Sequence, residues 1–177
     1  TPAETNLTTC GELNITNKVY YLNNSVNSTT DCFTLGADNV TLDCQGNNIT
    51  YPSGTNAVVI NNSNYATIRN CVIFQEGSIA MDEAIISGTR YGATPIYGLN
   101  IINTNITTFG VSTRGINIQN GTFNSIISGC SINTSSPDSY PIYFQGSSSS
   151  NNVTIQNNYL VSNSTALQFS SSYFSNI

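Results

Sequence analysis

The sequence predicts an all-β chain, a single-stranded right-handed parallel β-helix of about six coils with three short strands in each coil. Three observations predict it: apolar triplets recur at a near-constant step, a second series interleaves with the first, and apolar residues nowhere follow a helical 3.6-residue period. The first series is FTL from Phe33, VVI from Val58, II from Ile85, INI from Ile116, IYF from Ile142 and LQF from Leu167, at steps of 25, 27, 31, 26 and 25 residues. The second, in VTLDC, ATIRNC, LNIIN, SIISGC and VTIQNN, places Leu42, Ile68, Ile101, Ile127 and Ile155 at steps of 26, 33, 26 and 28. A third short strand follows the second after an Asn or Gly corner, as at Ile73, Ile106, Ile132 and Leu160. Within a strand, alternation turns one residue inward and the next outward, so stacked coils bury columns of Ile, Leu, Val and Phe at about 4.8 Å per layer. Six layers make a rod on the order of 30 Å long.

Residues 32–177 carry this repeat, and residues 1–31 read as an N-terminal capping or pairing segment of the same structural domain. At the corner after the second strand, Asn70, Asn103 and Asn157 occupy equivalent positions, with Gly129 in the fourth coil. Asn tolerates the left-handed conformation of a sharp corner, and its amides can bond between layers, which predicts an Asn ladder. Asp43 and Arg69 follow the equivalent Leu42 and Ile68, so an exposed cross-coil ion pair is expected.

Composition narrows the function. Asn, Ser and Thr number 27, 23 and 22 of 177 residues, yet 38% of residues are apolar, too many for simple disorder. Charged residues make up 7%, the net charge is -5, and Lys18, Arg69, Arg90 and Arg114 are scattered, which disfavours nucleic acid. Apolar runs of about four residues, such as Ala57 to Ile60, cannot span a bilayer. A chain beginning at Thr1 fits removal of a leader peptide.

Five Cys without His or a CxxC pair point to disulfides in an oxidising compartment and not to zinc. Cys10 precedes the first full coil and Cys32 opens it, so a bridge there would pin the N-terminal segment. Cys44 and Cys71 lie at nearly equivalent corners of adjacent coils, and Cys130, two coils beyond Cys71, is left as a buried thiol. Twelve N-x-S/T sequons, at Asn6, Asn14, Asn23, Asn27, Asn39, Asn48, Asn61, Asn105, Asn120, Asn133, Asn152 and Asn163, exceed the roughly seven expected from this composition. A secreted or cell-surface glycoprotein is the expectation, with N-glycans supplying the solubility that sparse charge does not.

NVTLDCQGNNIT from Asn39, NYATIRNCVIF from Asn64 and NNVTIQNNYLVSNS from Asn151 resemble the parallel β-helix repeats of pectin-lyase-like proteins, over most of the chain from about Cys32 onward. LDCQG followed one coil later by IRNC is similar to surface proteins of archaea and some bacteria. That superfamily holds polysaccharide lyases and hydrolases, tailspikes, adhesins and structural proteins, so the resemblance implies a fold and leaves the function open. A polygalacturonase-like site would need clustered aspartates, a Gly-His-Gly and an Arg-x-Lys. This chain has no His and no Asp-Asp pair, and Asn103-Thr104-Asn105 lacks the terminal acid. A pectate-lyase-like site would need calcium-binding aspartates beside an arginine base, and the four basic residues show no such grouping.

From the residues alone, Glu76, Asp82 and Glu83 form the one local acidic group that could supply a glycosidase pair or a cation site, and a solvated loop is the simpler reading. No cofactor is predicted. The connection from first to second strand is enlarged in two coils, at Ser87 to Gly98 and Gln145 to Asn152, so both protrusions should leave the same corner. Arg90, Tyr91 and Tyr97 there could contact an extracellular polysaccharide, the alternative being an adhesin module. The expected main partner is a second copy of the chain. The final repeat reads as an open apolar edge with Tyr173 and Phe174, to which Leu13 to Leu22 of a neighbour could add, giving a head-to-tail filament.

Overall fold

A computed structural model describes residues 3–78, 82–87, 95–119, 121–145 and 152–170. The chain enters through β1 (Ala3–Leu7) and then repeats a circuit of three strands. The first three circuits are β2 (Gly11–Leu13), β3 (Lys18–Leu22) and β4 (Val26–Asn27), then β5 (Phe33–Leu35), β6 (Thr41–Asp43) and β7 (Asn48–Pro52), then β8 (Asn56–Ile60), β9 (Thr67–Arg69) and β10 (Val72–Glu76). Two further circuits each carry an extra short strand. They are β11 (Glu83–Ser87), β12 (Ile96–Tyr97), β13 (Asn100–Ile102) and β14 (Asn105–Thr108), then β15 (Arg114–Gln119), β16 (Thr122–Phe123), β17 (Ser125–Ser128) and β18 (Ser131–Thr134). The last is β19 (Tyr140–Gln145), β20 (Val153–Gln156) and β21 (Tyr159–Ser162), after which β22 (Leu167–Ser170) starts again.

All pairing is parallel among the described residues. Sheet I stacks β2, β5, β8, β11, β15, β19 and β22; sheet II stacks β1, β3, β6, β9, β13, β17 and β20; sheet III stacks β4, β7, β10, β14, β18 and β21. This is a right-handed parallel β-helix. The register matches the repeat read from sequence residue for residue: Phe33, Val58, Ile85, Ile116, Ile142 and Leu167 form one column. Leu42, Ile68, Ile101, Ile127 and Ile155 form a second, and Ile73, Ile106, Ile132 and Leu160 a third. These side chains converge in one core that runs the length of the solenoid.

Residues 1–31 contribute β1 to β4, which stand in the first layers of the three sheets. β3 lies between β1 and β6, so of the stretch Leu13 to Leu22 residues 19–21 are already paired on both edges within the chain. The β3 part of that stretch is therefore not the edge that could receive a neighbour; among the described residues the first strands of the three sheets are β1, β2 and β4, and Leu13 belongs to β2.

Two columns of left-handed residues bracket sheet II. Before it stand Asn17, Asn39, Tyr65, Gly98, Asn124 and Asn152, and after it Gln45, Asn70, Asn103, Gly129 and Asn157, all with φ between 48° and 69°. The Asn positions predicted from sequence have the expected conformation. The amide bonding differs: Asn70 Nδ2 donates to Asp43 Oδ1 at 3.0 Å. Amide-to-amide steps occur at the other corner, Asn39 to Asn17 and Asn152 to Asn124, each at 2.8 Å, and after sheet II from Gln45 to Asn23 at 3.3 Å. At Gly129, in the same left-handed conformation, a β-carbon would come within 2.4 Å of Asn103 Oδ1, so that side chain would have to turn aside.

Both predicted disulfides are present, Cys10 to Cys32 and Cys44 to Cys71, each with a Cα separation of 4.7 Å, and Cys130 is a buried thiol. Cys44 reaches Cys71 because the first LDCQG corner is longer: four residues separate Asp43 from Asn48, whereas two separate the paired Arg69 and Val72.

Candidate functional surface

The acidic group predicted from sequence divides between the interior and the surface. Asp82 is buried, accepting from the Gly54 backbone N–H and from Gln75 Nε2, both at 2.7 Å. Glu83, also buried, accepts from Arg114 Nη1 at 2.8 Å and Asn117 Nδ2 at 3.1 Å, and Glu76 is exposed at the end of β10. Gln75 links Asp82 to the polar part of the interior, where its Oε1 accepts from the N–H groups of Phe109 and Gly110. These two carboxylates compensate buried donors, which is a structural use of charge. Asp31 and Asp38 do the same at the surface, each accepting a backbone N–H and a side-chain amide, from Asn56 and from Asn64. No cluster of three potential metal ligands occurs among the described residues.

The Asp43 to Arg69 ion pair forms at 2.8 Å. It is less exposed than expected: the Asp43 side chain is 9% accessible and that of Arg69 41%. Burial pushes the Asp43 carboxyl up, but the Asn70 amide, the Gln45 N–H and Arg69 together outweigh it and hold the group below the ordinary carboxylate value.

The sequon asparagines lie outward. Of the eleven within the described residues, Asn6, Asn14, Asn23, Asn27, Asn39, Asn48, Asn105, Asn133, Asn152 and Asn163 are exposed and Asn61 is half-buried, while Asn120 lies outside the described residues. Alternation explains this on sheet III, where Asn48 and Asn105 pair with Val72 in one outward column and Asn27 and Asn133 stand in the next, while the intervening Ile49, Ile73, Ile106 and Ile132 fill the core.

Both enlarged connections join a strand of sheet I to a strand of sheet II, while residues 88–94 and 146–151 within them lie outside the described residues. Arg90 and Tyr91 fall outside the described residues, as do Tyr173 and Phe174. Tyr97 is 42% exposed and its ring stacks on Phe123, with centroids 5.1 Å apart and planes at 20°. Pairing of β12 with β16 sets this stack. One layer away Tyr65 is 61% exposed, and its ring lies where a β-carbon on Gly98 would meet Cδ1 at 2.5 Å. The stacked Tyr97 and Phe123 rings make a short aromatic ledge, edged by the Asn64 carboxamide, whose Oδ1 accepts the Tyr97 N–H at 3.0 Å. Phe123 and Tyr65 were not singled out from sequence. The signal was there, because Tyr65 and Phe123 flank the same corner as the enlarged connection.

Comparison with family models, with curated proteins and with solved structures returns no match to this chain. The functional reading rests on the fold and its surface.

Proposed function

We propose that this chain is a non-enzymatic extracellular structural glycoprotein, of the kind the resemblance to archaeal and bacterial surface β-helix proteins suggests: a stiff rod that carries N-glycans and stacks end to end into a fibre or surface array. The observation that carries the reading is the outward placement of ten of the eleven described sequon asparagines. The two disulfides and the sparse charge favour the same setting, since glycans keep a weakly charged rod in solution. The stacking part follows from solenoid geometry, in which an edge layer offers backbone groups and apolar cross-section to a like layer. Glycopeptide mass spectrometry of protein from its native source tests the first part: unmodified asparagine at all twelve sequons removes it. Sedimentation with electron microscopy tests the second, which a stable monomer at high concentration overturns.

A second reading, an adhesin module for extracellular polysaccharide, is favoured by one observation, the stacked Tyr97 and Phe123 rings. Exposed stacked rings suit the apolar face of a sugar. Binding on a glycan array that is lost in Tyr97→Ala would support it, and an empty array would remove it.

A further inference from the structure

Sheet III presents large apolar side chains to solvent where the repeat calls for polar ones. Phe74 is 41% exposed and Phe109 38%, and the two rings meet edge to face with centroids 5.2 Å apart. The register places Phe74 directly beside Thr50 on one side and Thr107 on the other. These are the hydroxyl residues of the Asn48 and Asn105 sequons. Each acceptor asparagine therefore lies two residues back on a neighbouring strand, diagonal to the Phe74 ring and on the same face, at about 7–8 Å between backbones, within reach of a long or aromatic side chain. The two flanks are not equivalent. Phe109 follows β14, the strand that carries Asn105, and takes the flank of Phe74 on that layer. On the opposite flank stand Thr50 and, two residues along β7, Pro52, neither of them aromatic, and the exposed Asn48 is tethered through its backbone N–H to Ser25 Oγ at 3.0 Å.

We propose that Phe74, braced by Phe109, is the platform on which the first sugar of an Asn48-linked glycan lies. The reading rests on the glycoprotein reading above. An N-linked sugar leaves Nδ2 with an apolar face of C–H groups, and a ring fixed beside the acceptor offers that face a stacking partner with no bridging segment to order. The contact joins β7 to β10 from outside the core and removes an exposed aromatic surface from water.

The test uses the full chain secreted from an N-glycosylating host, with occupancy at Asn48 and Asn105 read by glycopeptide mass spectrometry. Thermal unfolding is then compared for the parent, Asn48→Gln, Phe74→Thr and the double variant, and for the same set built on Asn105→Gln. The Asn48 glycan should raise Tm by about 2–4 °C in the parent and by nothing in Phe74→Thr, while the Asn105 cycle shows no coupling. The effect should survive trimming to the first sugar and vanish on complete removal. In the glycosylated parent, sugar C–H resonances should shift upfield from the Phe74 ring current, a readout that stands even if Phe74→Thr folds poorly. Occupied Asn48 without coupling or shift overturns the platform and leaves the glycoprotein reading intact. Absence of glycan at every sequon overturns both.

Discussion

At the scale of single residues, this chain concentrates its few charges where backbone turns leave donors to satisfy. Asp43 accepts from the Gln45 N–H, from Asn70 Nδ2 and from Arg69 Nε at 2.8–3.0 Å. Its carboxyl is held lower in the folded chain than the ordinary unfolded value of about 4, so its contribution is complete above that value. It is lost as pH falls through the lower folded value. Thermal unfolding of Asp43→Asn should therefore lie below the parent near neutral pH, by about 1–2 kcal/mol given the half-exposed Arg69, and the two should converge in acid. A difference that stays constant down to strong acid would contradict this account. Tyr51 presents the opposite case. It is fully buried on β7 beside Gln75, its hydroxyl has no hydrogen-bond partner among the described residues, and burial with the nearby Asp82 and Glu83 carboxylates pushes that hydroxyl well above its ordinary value. Tyr51→Phe removes an uncompensated polar group, so stability should hold or rise by up to about 1 kcal/mol. A clear loss in chemical denaturation would mean that the hydroxyl is bonded in solution.

At the scale of elements, the apolar columns were legible because each is written as a repeated triplet, and the coil step carried the register of all three sheets. The left-handed corners were legible for the same reason at Asn70, Asn103 and Asn157. What escaped was written in small or polar residues. Ala57, Ala84, Gly115 and Pro141 sit between paired positions of sheet I, at the bend where each strand enters that sheet. They recur at the coil step, yet a reading that follows large apolar residues passes over them. A β-carbon at Gly115 would meet Ile132 Cγ2 at 2.4 Å and the Pro141 carbonyl at 2.7 Å, so the bend is closed by shape and not by chemistry. Gly115→Ala should cost about 2–3 kcal/mol and lower Tm by roughly 5–10 °C, although Ala is the native residue at the equivalent positions 57 and 84. A neutral result would mean that this layer can open to the width of its neighbours. The polar interior escaped for a different reason: Gln75 and Asp82 bond residues distant in sequence, and only the stacking of layers brings Gly54, Phe109 and Gly110 to them. The aromatic ledge was half legible, since Tyr97 stood out in its enlarged connection while its partner Phe123 depends on the pairing of β12 with β16.

At the scale of the whole molecule, a solenoid is nearly one-dimensional, so each layer is held by its two neighbours and by whatever cross-links it carries. Here the cross-links are unevenly placed. Cys10 to Cys32 ties the layer of β2 to that of β5, and Cys44 to Cys71 ties the β6 layer to the β9 layer, while the layers from β11 onward contain only the Cys130 thiol among their described residues. With sequence separations of 22 and 27 residues, each bridge stabilises by about 3–4 kcal/mol through the unfolded chain. That stabilisation acts locally, because a layer at the end of a stack opens with only one neighbour to lose. Reduction should therefore loosen β1 to β7 first, with amide exchange accelerating there while β15, β17, β18 and β19 keep their protection. Cys130 supplies an internal reporter of the distant layers: burial pushes its thiol up, and its Sγ lies 3.5 Å from the Ser128 carbonyl. Under native conditions it should resist alkylation in the oxidised and the reduced protein alike, even when the four other cysteines of the reduced chain are labelled. Simultaneous labelling of Cys130 with Cys10 and Cys32, or uniform loss of amide protection along the chain, would show that the solenoid unfolds as one unit and that the bridges stabilise all of it.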